Sequence, residues 1–559
     1  TMDSQRTILV IALLVLSFFM FQQWQHKGGN TPGIDRSSAP TEQAGNGQSD
    51  VPSDVPALDG DIPVAGGNDS VPAADTTAVL GDTITVETDV LRVKLSLRGG
   101  DLIQAELLQH AETLGEPARY TILYQRPGHL HIAQSGLIGP DGIDNAETRP
   151  LFRAEQTRFE LTGDTLEVPL YYVKEDGSEV IKRYTFTRGD YAVKVAFDVT
   201  NRSDAPKTVN FYGQLKQTMV DGGRSSMFMP TYRGAAYSSD SNRYKKYSFS
   251  DIQDRNFSTN TPAGWVAMLE HYFVTAWVPD QESTNRLYTN RNALGEGMIG
   301  FIGPAHTIAP GQNIVLESAL YMGPKDQARL RELAQHLNLT VDYGFLWWLA
   351  QPIYWLLSLL QSVVINWGLA IILVTIIVKT LLYPLTKAQY VSMAKMRKIA
   401  PKMKEMRERF GDDRQKLSQA MMKMYQEEKV NPLGGCLPML LQLPIFLALY
   451  WVLLESPEIR HADFVFWIND LSSRDPFFIL PLLMGASMFL MQRLQPTPVT
   501  DPMQAKILQY MPVMFTVFFL FFPAGLVLYW LVSNLISIAQ MTYIYRQIDK
   551  KEAATGKRR

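Results

Sequence analysis

The feature that most constrains this chain is the length of its apolar runs after residue 344. The run from Phe345 to Leu385 is about twice as long as one membrane crossing needs. Further apolar runs follow at about 433–454, 477–492, 507–522 and 526–545. Water cannot solvate so many long apolar segments, so this half of the chain is predicted to be a polytopic α-helical membrane protein.

Charges in the loops predict which side of the membrane each loop occupies. Residues 387–429 contain 12 Lys and Arg against 6 Asp and Glu, whereas the loop at 455–475 is acidic. Basic loops remain in the cytoplasm, so these two loops are expected on opposite sides. Two crossings within 345–385 would export the basic segment. We therefore expect an aromatic, amphipathic interfacial helix at 343–362 and a single crossing at 363–385.

The N-terminal region predicts an anchor followed by a tether. Arg6 precedes the apolar run 7–21, and no small-residue cleavage site follows it, which indicates an uncleaved signal anchor over 1–26. Residues 27–81 are rich in Gly, Pro and Ser, a composition typical of a flexible linker. With five core crossings within 363–545 and a basic tail at 546–559, the chain is predicted to have six transmembrane helices and both termini in the cytoplasm.

Between tether and membrane part, the hydrophobic pattern changes to a period of two. The stretches "TITVETDVLRVKLSLRGG" and "NIVLESALYMG" alternate apolar and polar residues, and Glu175-Asp176-Gly177 and Arg188-Gly189-Asp190 resemble turns. Residues 82–342 are therefore predicted to form an all-β, antiparallel sandwich that ends in a short helix at about 325–337. Residues 25–342 contain 29 Lys and Arg against 40 Asp and Glu, as expected of an exported, acidic domain.

The basic segment 387–430 is predicted to be a helical hairpin on the cytoplasmic side, turning at Gly411-Asp412-Asp413. Its methionines recur at helical spacing, and two interpretations stay open: a seam between the two helices, or a deformable apolar grip for partners. Its basic outer face is equally compatible with simple solvation, with anionic lipid or with ribosomal RNA. The candidate residues are Met396, Met403, Met406, Arg407 and Met421.

Lys379 stands inside an apolar run, where a charge costs about 2.5–3.5 kcal/mol near the bilayer centre. Thr375 lies one helical turn before it on the same face. Two interpretations remain open for the polar residues of the membrane helices: interhelical hydrogen bonding, or a water-filled groove that also accommodates Lys379. These further polar residues are Gln442, Gln492, Thr516, Ser533, Asn534, Ser537 and Gln540.

No motif in the sequence predicts catalysis, a cofactor or a metal. The phosphate-binding, nucleophile-elbow and zinc-protease patterns are all absent from the sequence. His129 and His131 are two residues apart, which is a weak metal signal, and we expect them to be surface residues. The single cysteine, Cys436, excludes an intramolecular disulfide and is expected to be a small buried hydrophobe. We therefore expect a non-enzymatic protein.

Long stretches of the sequence resemble one family. The segments "VNPLGGCLP" at 430–438, "FPAGLVLYW" at 522–530 and the N-terminal "MDSQRTILVIALL" are similar to the YidC/Oxa family of bacterial inner-membrane insertases. The likeness covers essentially the whole chain. It implies a large periplasmic domain with the fold of sugar-binding β-supersandwiches and five core helices around a positively charged groove open to cytoplasm and lipid.

The resemblance also implies partners and site residues. Nascent inner-membrane proteins would place polar ends in the groove, where Lys379 takes a position that is typically arginine in the family. Tyr529 and Trp530 match a tyrosine pair that contacts substrates, with the second ring changed. The hairpin would take part in early substrate contact. Implied partners are the ribosome (transiently), the Sec translocon with SecDF, and membrane lipids, without recognition of a specific nucleic-acid sequence.

Two other classes of function remain as alternatives. A secondary transporter or exporter could use the β-domain to bind a glycan or lipid, but it would call for internal repeats and paired carboxylates within the crossings. An enzyme with its active site in the β-domain would need a histidine and a carboxylate that converge in a cleft. The sequence favours the insertase because the family resemblance extends over both parts of the chain.

Overall fold

A computed structural model describes residues 83–145, 148–219, 232–410, 414–428, 437–494 and 502–556 of the chain. The predicted N-terminal anchor, the tether, the turn at 411–413, Cys436 and the end of the basic tail lie outside these residues. The described residues fall into two compact units, 83–341 and 342–556. The first unit is rich in β-strands and the second is helical.

The β-rich unit contains short and long strands that follow the alternating segments of the sequence. In chain order they are β1 (Thr83–Glu87), β2 (Leu91–Ser96), β3 (Leu102–Ala111), β4 (Arg119–Arg126), β5 (His129–Ile138), β6 (Arg158–Glu160), β7 (Thr165–Val173), β8 (Glu179–Thr187), β9 (Ala192–Thr200), β10 (Lys207–Thr218), β11 (Gly234–Ser238), β12 (Lys245–Tyr247), β13 (Ser258–Pro262), β14 (Trp265–Leu269), β15 (Phe273–Val278), β16 (Thr284–Arg291), β17 (Glu296–Ile308) and β18 (Asn313–Pro324).

These strands form two sheets. One sheet has 10 strands in the order β13-β16-β17-β10-β5-β4-β3-β2-β1-β6, and the other has 8 in the order β12-β11-β14-β15-β18-β9-β8-β7. The pairing is antiparallel except between β1 and β6, which run parallel with Val86 opposite Phe159. Alternation of residue types cannot distinguish these two directions, so the sequence predicted only antiparallel pairing.

Two predicted turns and the end of the unit can be compared directly. Gly177 and Gly189 have φ of 81° and 72°, so both turns need the left-handed backbone that glycine adopts without strain. The predicted helix at 325–337 is shorter, α2 (Gln327–Leu333), and it begins at Asp326, whose carboxylate accepts hydrogen bonds from the first turn. A second α-helix among the described residues of this unit, α1 (Phe249–Asp254), was not predicted from the sequence.

The core lies between the two sheets and is closely packed. Trp277 of β15 is fully buried and donates its indole N–H to the carbonyl of Gln214 in β10, 3.2 Å away. Its ring and Phe301 come so near Gly213 that a Cβ there would lie 2.6 Å from Phe301. Strand β10 is buried on both faces, so it lacks the alternation by which outer strands are recognised.

The same core encloses a small network of charged groups. Arg149 lies between two carboxylates: it contacts Asp101, and its Nε is 3.1 Å from Asp144. Lys182 is fully buried and donates to the carbonyls of Gly99 and Ser135 at 2.9 and 2.8 Å. Burial lowers the pKa of Lys182 to about 7, although Asp101 acts in the opposite direction.

The helical unit contains eight α-helices within its described residues. They are α3 (Trp347–Val364), α4 (Trp367–Leu381), α5 (Tyr383–Phe410), α6 (Arg414–Glu427), α7 (Leu437–Glu455), α8 (Ile479–Leu494), α9 (Pro502–Phe519) and α10 (Ala524–Gly556).

These helices differ in detail from the predicted crossings. The predicted crossing at 363–385 is interrupted at both ends: α3 continues to Val364, and a break after Leu381 bends the chain by 65° into α5. By length and hydropathy, one helix among the described residues, Ala524–Lys550, is sufficient for a crossing by itself, and the bent pair α4–α5 raises the number to two. The remaining apolar helices are shorter, so the six-helix topology stays a prediction.

Candidate functional site

Lys379 lies at the centre of a cluster of polar side chains from three helices. It is 7% exposed, near the end of α4. Its ammonium group donates hydrogen bonds to Ser537 Oγ of α10 at 2.9 Å and to Gln442 Oε1 of α7 at 3.2 Å. Helices with largely apolar sequences therefore meet at a group that carries a full positive charge.

The cluster continues through Gln442. Its amide donates to Ser533 Oγ at 2.7 Å, and Ser533 lies one turn before Ser537 on α10. The structure thus joins Lys379, Gln442, Ser533 and Ser537 in one network. Thr375 is buried as well, but its hydroxyl donates to the carbonyl of Ile371 in its own helix at 2.7 Å.

A second polar contact connects α10 with α8. Asn534 donates its amide to Ser487 Oγ at 3.0 Å, and Ser487 donates to the carbonyl of Met484 at 2.6 Å. This pair is consistent with the interpretation of intramembrane polar residues as interhelical hydrogen bonds. Gln492 is half-buried in the last turn of α8 and is not one of the residues that bind Lys379 or Asn534 directly.

Two residues of the site were not identified from the sequence. Ser487 was overlooked because a single serine in an apolar helix carries no periodic signal. Tyr390 of α5 is buried and donates its hydroxyl to the carbonyl of Ser537 at 3.3 Å. Its position within the basic segment suggested the hairpin and not the membrane helices.

The charge of Lys379 lacks an acidic counterpart within the described part of the chain. Its hydrogen-bond acceptors are a hydroxyl and an amide oxygen, and no carboxylate in the described part of the chain lies within salt-bridge distance of its Nζ. Neutral dipoles stabilise the ammonium group without cancelling its charge. The site can therefore attract a negatively charged or strongly dipolar group from outside the chain.

The two predicted substrate-contact aromatics differ in exposure. Tyr529 is 2% exposed, and its ring stacks with Phe446. Trp530 is partly exposed, and its ring packs edge-on against Phe446 with centroids 4.7 Å apart and also against Phe519. Its indole N–H is itself buried and has no hydrogen-bond partner among the described residues, so only another part of the ring is exposed. Of the pair, Trp530 is thus the ring that an external chain can reach without rearrangement.

The methionines of the hairpin pack between its two helices. Met396 and Met403 of α5 are buried together with Met424 of α6, and Met406 and Met421 pack against them. Lys402 and Glu428 form an ion pair across the hairpin at 2.6 Å. In this arrangement the methionines form the seam between the helices. The side chain of Arg407 lies outside the described residues.

The expectation for His131 is wrong. His129 is exposed, but His131 is fully buried beside Glu270, with His131 Nδ1 3.9 Å from Glu270 Oε1. Burial, and then the charge of Arg233, lower the pKa of His131 to about 3. Burial also raises the pKa of the Glu270 carboxyl.

This buried pair bears on the alternative of an enzyme in the β-domain. A histidine and a carboxylate do lie together, but solvent does not reach the imidazole ring of His131. Strand pairing places His131 opposite Tyr124 and Gln217. Both neighbours have polar groups, so the sequence did not indicate that His131 is buried. Among the described residues, no group of three or more His, Cys, Asp or Glu is arranged to hold a metal ion.

Comparison with known proteins shows to which family the chain belongs. Residues 83–356 match the family model described as YidC periplasmic domain, and residues 359–551 match the one described as 60Kd inner membrane protein. A Membrane protein insertase YidC from Pseudoalteromonas atlantica is 50% identical over 556 residues, which are 99% of this chain and 100% of that relative.

Other relatives agree. The Membrane protein insertase YidC from Actinobacillus succinogenes is 52% identical over 98% of both chains. A solved structure, described as an active YidC insertase crystal structure with the first transmembrane domain resolved, is 18% identical, covers 83% of this chain and 92% of its own, and has a TM-score of 0.38. That score is too low to support any argument about geometry, so the assignment depends on sequence. The chain belongs to the YidC family of membrane protein insertases.

Proposed function

We propose that this chain acts as a membrane protein insertase and chaperone in the bacterial inner membrane. It would receive nascent membrane proteins and help them to enter and fold in the bilayer, without bond chemistry and without a cofactor. The names of its relatives support this proposal. The observation that carries it is the buried ammonium group of Lys379, held only by neutral partners among the described residues.

Lys379 is the receptor for the polar end of an incoming protein in this proposal. A charge within apolar helices is expensive, and in membrane proteins such residues usually face a cavity or a pathway. Gln442 and Ser537, which bind Lys379, and Ser533, which binds Gln442, would line that cavity. A lysine supplies a point charge without the planar fork of an arginine, so recognition by general attraction is favoured over a bidentate contact.

Short helices would reduce the distance that this polar end must cross. The helix α8 has 16 residues and is therefore about 24 Å long, against about 30 Å for the hydrocarbon of a typical bilayer. A mismatch of this kind favours local thinning of the bilayer. Partitioning of the substrate's apolar segment would drive insertion, assisted by the membrane potential at about 2.3 kcal/mol per charge per 100 mV.

The apolar segment of the substrate would pass along an aromatic surface. Phe446, Phe519 and Trp530 pack together on α7, α9 and α10, and the partly exposed ring of Trp530 offers this surface an apolar contact. The cytoplasmic hairpin would make the first contact, with its basic face toward lipid headgroups or the ribosome. The methionines in its seam would let its two helices shift.

The wider assembly is proposed from the family resemblance. The chain would cross the membrane six times with both termini in the cytoplasm and the β-rich unit in the periplasm. The Sec translocon and SecDF would be its partners for some substrates, and the ribosome a transient one. We also propose the domain boundaries predicted from the sequence.

Site-specific photo-crosslinking tests the proposal. A photoreactive amino acid would replace Gln442 or Trp530, and a probe at Leu535, which is 52% exposed on another side of α10, serves as the matched control. Ribosome-bound nascent chains with one emerging apolar segment should crosslink to the first two positions and much less to the third. Making that segment polar should abolish these crosslinks. Absence of crosslinks from positions 442 and 530, or equal crosslinking from position 535, would refute the proposal.

A further inference from the structure

Three large apolar residues of the helical unit combine an unfavourable backbone with exposure. Ile365, Phe466 and Phe478 have φ of 57°, 60° and 58°, the left-handed region that bulky side chains rarely adopt. Ile365 is 83% exposed and Phe466 is 88% exposed. Exposure of side chains this large and apolar to water is unfavourable. This exposure indicates that these side chains are surrounded by something other than water.

Phe466 is held at the tip of a well-defined turn. The N–H of Phe464 donates to the carbonyl of Ile468 at 2.9 Å, and the N–H of Ile468 donates to the carbonyl of Val465 at 3.3 Å. Trp467 donates its indole N–H to Asp475 Oδ1 at 3.0 Å. Hydrogen bonds of the residues before and after Phe466 therefore fix the turn with the Phe466 side chain directed outward.

The turn is attached to the start of a membrane helix. Asn366 caps α4 and also donates its side-chain amide to the carbonyl of Phe464 at 3.3 Å. The ring of Phe464 occupies the space above Gly368, where a Cβ would lie 2.0 Å from it. Ile365 directly precedes this cap, and Leu369, one turn into α4, is also exposed. The apolar surface of the turn thus continues into the outer surface of α4.

A second exposed apolar pair lies where the same loop enters α8. Phe477 is 65% exposed and Phe478 is 39% exposed, immediately before the first residue of α8. Asp475 accepts hydrogen bonds from the backbone N–H groups of Phe477 and Leu480, at 3.0 and 2.7 Å, so one carboxylate fixes both this corner and Trp467. Both apolar projections of the loop are therefore rigidly positioned.

We propose that Ile365, Phe466, Phe477 and Phe478 form an apolar rim that inserts into the lipid hydrocarbon on the loop side of the membrane. This inference rests on the membrane location given under Proposed function and adds a lipid anchor to it. Hydrocarbon around the rim makes the exposure of these side chains favourable. The exposed polar residue Asn469 stays among the headgroups, and Trp467 occupies the interface that tryptophan prefers.

Spin labelling of the full chain in phospholipid vesicles tests this inference. In a Cys436→Ser background, a nitroxide is attached through Phe466→Cys, with Asn469→Cys as matched control in the same loop and Leu369→Cys on the membrane helix. Collision with oxygen reports hydrocarbon, and collision with a water-soluble nickel chelate reports water. We expect labels at 466 and 369 to favour oxygen and the label at 469 to favour nickel.

Each other result overturns the inference in a recognisable way. A nickel-accessible label at 466 beside an oxygen-accessible one at 369 refutes the lipid anchor alone. Nickel access at both positions refutes the membrane location of α4 as well. Low access to both reagents at 466 means that protein covers the rim. If the cysteine variants do not fold, brominated lipids should quench the native fluorescence of Trp467, measured as the difference from Trp467→Phe, and absence of that quenching overturns the inference.

Discussion

Neutralising Lys379 should impair insertion according to the charge of the substrate. The ammonium group is held at 2.9 and 3.2 Å by Ser537 and Gln442, so a carboxylate that lies just beyond these partners would be about 6 Å from it. At an effective dielectric constant of about 20, two unit charges at that distance attract by about 2.8 kcal/mol. Since about 1.4 kcal/mol corresponds to a factor of ten, Lys379→Gln should slow insertion of an acidic-tailed substrate by about a hundredfold.

The assay is insertion into vesicles that contain the purified chain, followed by protease protection of the translocated tail. Two substrates that differ only in having an acidic or a neutral tail are compared. Lys379→Arg should retain most activity because the charge is kept, and Lys379→Glu should block the acidic tail. Lys387→Gln is the matched control, because Lys387 is exposed on the next helix. Equal loss with both tails in Lys379→Gln would refute the reasoning and make Lys379 a structural residue.

Three further predictions concern the β-rich unit and are measured by chemical denaturation of the full chain, followed by tryptophan fluorescence. Gly213→Val should lower its free energy of unfolding by about 1–3 kcal/mol, because the added atoms would meet Phe301 and Trp277, and an unchanged midpoint would contradict the packing described. Because the pKa of His131 is lowered from 6.5 to about 3, the unfolded chain binds the proton first, and the free energy of unfolding should fall as the pH drops through this window, by up to about 5 kcal/mol. His131→Phe should flatten that dependence; an unaltered slope would show that other groups cause it. The pKa of Lys182 is lowered from 10.5 to about 7, so between these pH values the unfolded chain binds the proton and the folded chain does not. The free energy of unfolding should therefore rise as the pH increases from about 7 to 10.5 in the native chain, and this rise should be absent in Lys182→Met.

Much of the fold could be predicted because period and length are local signals. Strands such as β18 alternate apolar and polar residues, and the apolar runs of the membrane helices exceed what a soluble core needs. The family resemblance then identified the class of protein, which the comparisons confirm. Where burial is complete, as in β10, alternation disappears and the local signal is lost.

The candidate site shows the same division. Lys379 was noticeable because one charge in an apolar run is improbable without a reason. Its partners Ser537 and Gln442 were plausible candidates from polarity, but no spacing rule related three residues on three different helices. The sequence did not indicate that Ser487 and Tyr390 belong to the site, because hydroxyl side chains are common in helices. Their roles follow from the residues that they contact in the folded chain.

Local patterns along the chain are enough to predict its division into an alternating β-rich part and an apolar helical part, the basic hairpin and the family. These follow from the transfer of apolar groups out of water and from charge asymmetry, which depend on composition along the chain. Tertiary structure alone decided that Lys379 binds Ser537 and Gln442, that His131 is buried beside Glu270, and that Phe466 is exposed at a strained turn. The physical reason is that hydrogen bonds and burial depend on distances between residues far apart in sequence, which chain closure and packing determine together.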